Sequence, residues 1–308
     1  MAHRFSAGPH TSDSQSRQKG AASTPAAANG KNEQRGGAVA AGMLAVALTG
    51  LVGAAVYFFV WGKWGPPAAI TPVGKEVDRQ YQLTLAITGA IFILAQLGLA
   101  FAVLRYRGSG RGAHYSHGNN KLEFLWTFAT TVIFLGLGLL GYKAWGAVRL
   151  TPASPGAIPI EVTTSQFVYN FRYTGPDGRF GMTDPKLISP STGNPLGLDP
   201  NDPAGRDDIV VPTLTVPVGR EIDLLIRSQD VIHSVFVREL RLQQDAVPGL
   251  TVPLHFTADK IGTYDIVCTQ LCGLGHSRMH SYLNVVSESD YESFLKRQEQ
   301  LLRQAGGR

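Results

Sequence analysis

Three long stretches without a charged side chain constrain this chain more than any other feature. They lie between Arg35 and Lys63, between Arg79 and Arg105, and between Glu123 and Lys143, and run for 27, 25 and 19 residues. A helix rises about 1.5 Å per residue, so about 20 apolar residues cross the hydrocarbon core of a bilayer. A buried helix in a water-soluble domain seldom runs so far without a charge. The sequence therefore predicts membrane helices over 38–61, 81–104 and 124–142.

Flanking cations set the orientation, because Lys and Arg concentrate on the cytoplasmic side of short loops. The N-terminal tail has Arg4, Arg17, Lys19, Lys31 and Arg35 against Asp13 and Glu33. The loop after the second helix has Arg105, Arg107, Arg111 and Lys121 with no acid, whereas Lys63, Lys75 and Arg79 in the first loop are offset by Glu76 and Asp78. Tail and second loop read as cytoplasmic, which places everything after residue 145 outside a bacterial-type cytoplasmic membrane. The first apolar run is long and no small-x-small cleavage site follows it, so it is read as a retained helix and not a cleaved leader. The basicity of the whole chain (net +5) comes from residues 1–149, at +9, while residues 150–308 carry −4. That split gives no reason to invoke nucleic acid.

Residues 1–36, rich in Ala, Gly, Ser and Gln with no apolar period, read as a disordered cytoplasmic tail before an anchor over 37–149. A Pro-punctuated linker, 151–159, leads into a soluble domain over 150–290. Strand-like runs fall at 160–173, 213–218, 221–228, 234–238, 254–257, 263–267 and 280–286, separated by turn residues. They predict a compact β-sandwich or barrel. A Gly/Pro/Asp-rich excursion over 174–208 interrupts them, and an amphipathic helix over 289–304 opens a terminal segment, 291–308.

The chemistry concentrates in Cys268-Thr-Gln-Leu-Cys272-Gly-Leu-Gly-His276-Ser-Arg-Met279. These are the only two cysteines, and alone they read as a short disulfide, a redox pair or a metal site. Thiolates, an imidazole and a thioether within twelve residues select copper, with Met as the usual weak axial partner. A mononuclear blue site uses one Cys, two His and one Met, so the second thiolate suggests two thiolates bridging two ions. His233, in Asp-Val-Ile-His-Ser between two strand-like runs, is the candidate second imidazole. His255 and His280 have no motif around them and read as structural.

This segment resembles the binuclear copper motif of cytochrome c oxidase subunit II, C-x-E-x-C-x-x-x-H-x-x-M with a distant upstream His. The resemblance extends through Gln244-Asp245-Ala246-Val247-Pro248-Gly249, Leu122-Glu123-Phe124-Leu125-Trp126-Thr127 and Gln166-Phe167-Val168-Tyr169, and spans roughly residues 80–296. It implies a helical membrane anchor of three helices carrying an all-β cupredoxin-like Greek-key barrel or sandwich. In that reading Cys268 and Cys272 bridge two copper ions, His233 and His276 each ligate one, and Met279 and the main-chain carbonyl of Gln270 are the weak axial ligands. The resemblance also implies electron flow from cytochrome c or a similar haem donor to haem in subunit I, where oxygen is reduced to water. Subunit I and other oxidase subunits, with membrane lipid, are the implied partners.

Two positions depart from the family's pattern. Gln270 stands where Glu is usual, which removes a charge from a magnesium site shared with subunit I. Phe167 stands where the family has the Trp at which electrons enter, so that role falls to Phe167 and Tyr169. Glu123, at the cytoplasmic mouth of the third helix, matches the acid at the entrance of a proton pathway. Asp207, Asp208 and Asp230 are candidate acids for docking a basic donor.

Rival families fit less well. A membrane-tethered copper chaperone of the Sco type has its His downstream of the cysteines and no HxxM directly after them. A quinol-oxidase subunit II lacks the cysteines. Nitrous oxide reductase carries a large propeller domain in place of this anchor, and without a C-x-x-C-H motif there is no fused cytochrome c.

Overall fold

The computed structural model describes residues 26–62, 65–107, 115 and 117–304, with side chains from residue 37 onward. Residues 1–25 of the expected tail, and Lys63 and Arg111 of the loop charges, lie outside the described residues. The chain divides into two compact units, Met1–Phe58 with Phe92–Tyr115, and Phe59–Ile91 with Ser116–Arg308.

Among the described residues, three helices are long and apolar enough to cross a membrane: α1 (Ala26–Trp61), α2 (Pro72–Tyr106) and α3 (Asn120–Arg149). Large apolar side chains stand exposed along them, with Phe134 at 78 % and Leu94 at 69 %. Water would make such surfaces costly, whereas lipid does not. Their threonines are satisfied within the helix: Thr84 Oγ1 donates to the Gln80 carbonyl at 2.9 Å and Thr131 Oγ1 to Thr127 at 2.7 Å. The helices outrun the charge-free stretches because polar turns extend them past the apolar core. α1 starts at Ala26, so residues 26–36 are helical where a disordered tail was expected. α2 starts with Pro72 after Thr71, whose hydroxyl accepts from the Gly74 N–H at 2.8 Å, and α3 with the Asn119 side chain accepting from the N–H groups of Lys121 and Leu122.

In the second unit, ten strands form two five-stranded sheets, as expected for a cupredoxin-like sandwich. One sheet has the order β3 (Ile209–Val211), β2 (Val168–Tyr173), β1 (Ile158–Ser165), β5 (Glu221–Ser228) and β8 (Val252–Thr257). The other has β4 (Leu214–Pro217), β10 (His280–Val286), β9 (Gly262–Val267), β6 (His233–Val237) and β7 (Leu242–Ala246). Alternation along β5 (Ile222, Leu224, Ile226) and β2 (Tyr169, Phe171, Tyr173) sends one face into a dry core. Two tyrosines cross between the sheets. Tyr173 Oη donates to the Thr215 carbonyl at 3.0 Å, and Tyr169 Oη to the Ser234 carbonyl at 2.8 Å. The amphipathic helix α4 (Glu288–Gln304) closes one edge, with Phe294 edge-on to Tyr173.

The run 160–173 is two strands, not one. It reverses at Gln166–Phe167, through a cis peptide, and pairs on itself with Ser165 opposite Val168. The aromatic stripe therefore begins at Tyr169, and Phe167 sits in the turn. Two edge strands, β3 and β7, are additions to the expected set. The excursion 174–208 is held down by Arg172, 1 % exposed, whose Nε donates to Asp208 Oδ2 at 2.9 Å and whose Nη2 donates to the Gly181 carbonyl.

Candidate metal centre

The second sheet brings distant parts of the sequence together. β9 and β10 are antiparallel neighbours, with Val267 opposite His280, so the segment 268–279 is the loop that joins their ends. β6 lies beside β9 and begins at His233, which puts that imidazole at the mouth of the same loop. Ligand-type atoms of His233, Cys268 and Cys272 lie within 4.8 Å of one another. The Sγ atoms are 3.8 Å apart, His276 Nδ1 is 3.6 Å from Cys272 Sγ, and Met279 Sδ is 3.9 Å from it. The Gln270 carbonyl oxygen is 3.1 Å from Cys268 Sγ. All six groups singled out in the sequence thus converge on one pocket at one end of the sandwich.

The sulfurs are too far apart for a disulfide, whose S–S bond is about 2.0 Å. Their separation is less than twice a metal–thiolate bond of about 2.3 Å, so one cation can touch both. Burial is nearly complete, with His233 at 0 %, Met279 at 2 %, Cys272 at 4 % and Cys268 at 7 % exposure. Burial first, and then the neighbouring Cys268, push the Cys272 thiol up to about 11. Without a cation the Cys272 thiol stays protonated, so a bound cation must displace that proton.

The buried His233 Nδ1 has no hydrogen-bond partner, whereas Nε2 lies 2.7 Å from Asp230 Oδ1. A carboxylate there fixes the proton on Nε2 and leaves the Nδ1 lone pair aimed into the pocket. Burial works to raise the Asp230 carboxyl, but the bonds from His233, the Gln166 N–H and the Val231 N–H outweigh it and hold the group below its ordinary range. An unpartnered imidazole nitrogen, two buried thiols, a thioether and a second imidazole make a donor set that fits a soft cation such as copper.

Neighbouring residues brace the ligand loop through contacts that the sequence does not reveal. Gln166 Nε2 donates to the Cys272 carbonyl at 2.6 Å, tying the β1–β2 turn to the ligand loop. The Thr269 N–H donates to Ser234 Oγ at 2.7 Å, which pins the loop to β6. Burial, followed by the two thiols, raises the Tyr169 phenol, so it remains a protonated donor beneath the site. Phe167 lies flat on the loop. A Cβ at Gly275 would sit 2.3 Å from Phe167 Cδ2, so only glycine admits the ring next to His276.

The remaining candidates divide. Asp208 is 0 % exposed and paired with Arg172, so it has no surface with which to dock a donor. Asp207 is partly buried, and Asp230 is engaged with His233. Glu123 is exposed in the first turn of α3, where an acid suits the helix dipole. Gln270 Nε2 donates to Asp245 Oδ2 at 2.9 Å, so the position expected to lend a carboxylate to magnesium holds an amide already bonded to one. The amide occupies one Asp245 oxygen and brings no second negative charge, so the pair as bonded suits a hard divalent cation poorly. His255 and His280 are bonded to Glu221 and Asp265, at 3.0 Å each.

Comparison with known proteins completes the description. A family model described as cytochrome c oxidase subunit II, periplasmic domain, matches residues 206–287. The alternative cytochrome c oxidase subunit 2 of Bradyrhizobium diazoefficiens is 34% identical over 247 residues, covering 79% of this chain and 87% of that one. The cytochrome c oxidase subunit 2 of Cereibacter sphaeroides is 29% identical over 247 residues, with coverages of 76% and 80%. Among solved structures, the periplasmic domain of subunit II of cytochrome oxidase from Bradyrhizobium japonicum is similar at 21% identity and a TM-score of 0.35, over 48% of this chain and 96% of that one.

Proposed function

Because the chain belongs to the cytochrome c oxidase subunit II family, we propose that its metal centre is the point at which a haem–copper oxidase takes up electrons. Two copper ions held by the Cys268 and Cys272 thiolates, the His233 and His276 imidazoles, Met279 and the Gln270 carbonyl would supply a one-electron acceptor. The observation that carries this reading is the approach of His233, with its Nδ1 unpartnered, to the two buried sulfurs, with His276 Nδ1, Met279 Sδ and the Gln270 carbonyl beside them.

The chain's own residues prepare the site. Asp230 holds the His233 ring, Ser234 and Gln166 fix the ligand loop, and Tyr169 and Met279 keep water from beneath it. A frame so bonded changes little between oxidation states, which keeps the barrier to electron transfer low. Phe167 covers the loop beside His276 and is the contact through which electrons arrive from cytochrome c or a similar haem donor. They leave for haem in subunit I, where oxygen is reduced to water. The sandwich faces outward from a bacterial cytoplasmic membrane, and Glu123, on the opposite side, opens a proton path into subunit I. The start of α2 supports this side assignment, since the Ile70 N–H donates to the Glu239 carbonyl of the sandwich at 3.0 Å.

A copper count and an electron paramagnetic resonance spectrum of the intact chain in detergent test the reading. Two coppers per chain with hyperfine splitting shared over both nuclei are expected. A single copper with splitting from one nucleus overturns the binuclear assignment and favours a mononuclear carrier.

A further inference from the structure

Arg241 is the only non-glycine residue with positive φ among the described residues, at φ 58° and ψ 28°. A left-handed conformation crowds the Cβ of an ordinary residue, and glycine would occupy it freely. Something in the arginine side chain offsets that crowding. The guanidinium is only 11 % exposed, and its Nε and Nη2 meet both oxygens of Asp78 at 2.7 and 2.9 Å. Nη1 donates to the Arg238 carbonyl and Nη2 also to the Pro67 carbonyl. This fork geometry is specific to arginine, and lysine cannot reproduce it.

Asp78 lies on α2, just inside its start, while Arg241 ends the short turn that joins β6 to β7. The neighbouring bonds run the same way. The Asp259 N–H donates to the Ile70 carbonyl at 2.8 Å, Thr71 Oγ1 donates to the Leu240 carbonyl at 3.2 Å, and Lys75 pairs with Asp259. From α3, Arg149 Nη2 donates to the Gln243 carbonyl at 2.9 Å and Nη1 donates to Gln244 Oε1, both on β7. Two membrane helices therefore land on one hairpin. The far end of that hairpin holds the site: His233 opens β6, opposite Ala246, and Asp245 on β7 accepts from Gln270. From Val237 back to His233 is four residue steps, roughly 13 Å of rigid strand.

We propose that Arg241 is a positioning residue: its bidentate latch on Asp78 mounts the β6–β7 hairpin on the membrane helices and so fixes the distance over which the centre passes electrons to its acceptor in the membrane. The proposal rests on the electron-carrier reading given above. It makes the latch matter to electrons leaving the site and not to electrons arriving.

The test uses the intact membrane oxidase complex carrying Arg241→Gly, which suits the left-handed backbone and removes the guanidinium with its bonds to Asp78, Pro67 and Arg238. Copper content, the paramagnetic spectrum and reduction of the centre by its donor are expected to stay as in the native complex. Electron transfer from the centre to the membrane haem, followed after a reducing flash, slows by roughly tenfold or more, as an ångström-scale misplacement would produce. Hydrogen exchange at the Ile70 and Asp259 amides, which needs no metal, speeds up. The exchanged pair Asp78→Arg with Arg241→Asp restores both readouts in part. Unchanged transfer to haem in Arg241→Gly overturns the proposal, as does equal slowing of arrival and departure, the mark of a generally loosened fold. A native complex whose centre never takes an electron from the donor sinks the electron-carrier reading instead, and unaltered amide exchange in the variant sinks the latch separately.

Discussion

At one end of β6, His233 is fully buried with Nδ1 unpartnered, whereas at the other end every side-chain nitrogen of Arg241 rests on an oxygen. The two ends share a strand and differ in how they settle their polar groups. At the Arg241 end the groups are saturated among themselves, so nothing remains to bind and the result is attachment. At the His233 end a buried imidazole nitrogen is left without a partner beside two thiols and a thioether, a state that folding alone does not reward. The difference teaches how to tell a ligand site from a structural network when both are buried. The ligand site is the one whose unpaired nitrogen faces other soft donors.

The largest effect expected from breaking this contrast comes from Cys272→Ser. Serine keeps the shape but replaces the soft ligand with a hydroxyl that does not ionise at neutral pH. Copper affinity should fall by more than about a hundredfold, beyond the roughly 10- to 100-fold loss typical of an outer partner. A copper count after challenge with a chelator reads it, and full retention would remove Cys272 from the ligand set. Asp230→Asn comes next. It removes the carboxylate that fixes the His233 tautomer, and affinity should drop by roughly 10- to 100-fold while the fold persists. Metal titration followed by absorption distinguishes this from an undisturbed site.

The Arg241 end should answer in stability, not in metal binding. Asp78→Asn keeps one oxygen for the guanidinium but loses the charge, in a pair whose acid is 26 % exposed. A loss of about 1–2 kcal/mol is expected, or roughly 2–8 °C in the melting midpoint of the copper-free protein. Copper affinity should not move. A shift in affinity without a shift in midpoint would show that the two ends are not separate in the way their hydrogen bonding implies.

How far the sequence reveals these features depends on whether the signal is local. The three membrane helices and the loop 268–279 announce themselves through unbroken apolar runs and through spacing, and His233 through its place before an apolar strand. Longer helices than the charge-free stretches follow from polar turns, which carry no apolar period. The turn at Gln166–Phe167 is hidden because Phe167, Tyr169, Phe171 and Tyr173 carry an aromatic alternation straight through it. β7, Leu-Gln-Gln-Asp-Ala, is an edge strand with few apolar residues, and β3 has only three residues, so neither stands out. Asp208 reads as a surface acid until Arg172, 36 residues away in sequence, is found beside it. The roles of Gln166 and Arg241 are likewise relations between distant segments, and composition holds no trace of them.

The smallest effect on copper is expected where sequence and family differ most openly, at Gln270. Its main-chain carbonyl faces Cys268 Sγ at 3.1 Å, while its side chain turns away to Asp245. The two halves of one residue thus serve different neighbours. Gln270→Glu leaves the carbonyl in place, so the copper spectrum should be unchanged. A spectral change would mean that the side chain reaches the ions and that the main-chain assignment is wrong. At the surface the same substitution exchanges a donor for a second carboxylate beside Asp245. Two like charges at hydrogen-bond distance repel, and a hard divalent cation relieves them through oxygen ligands. Manganese, as a paramagnetic stand-in for magnesium, should bind the variant complex and not the native one. Equal binding to both would show that the Gln270–Asp245 bond opens readily, and that a cation can take the position despite the amide.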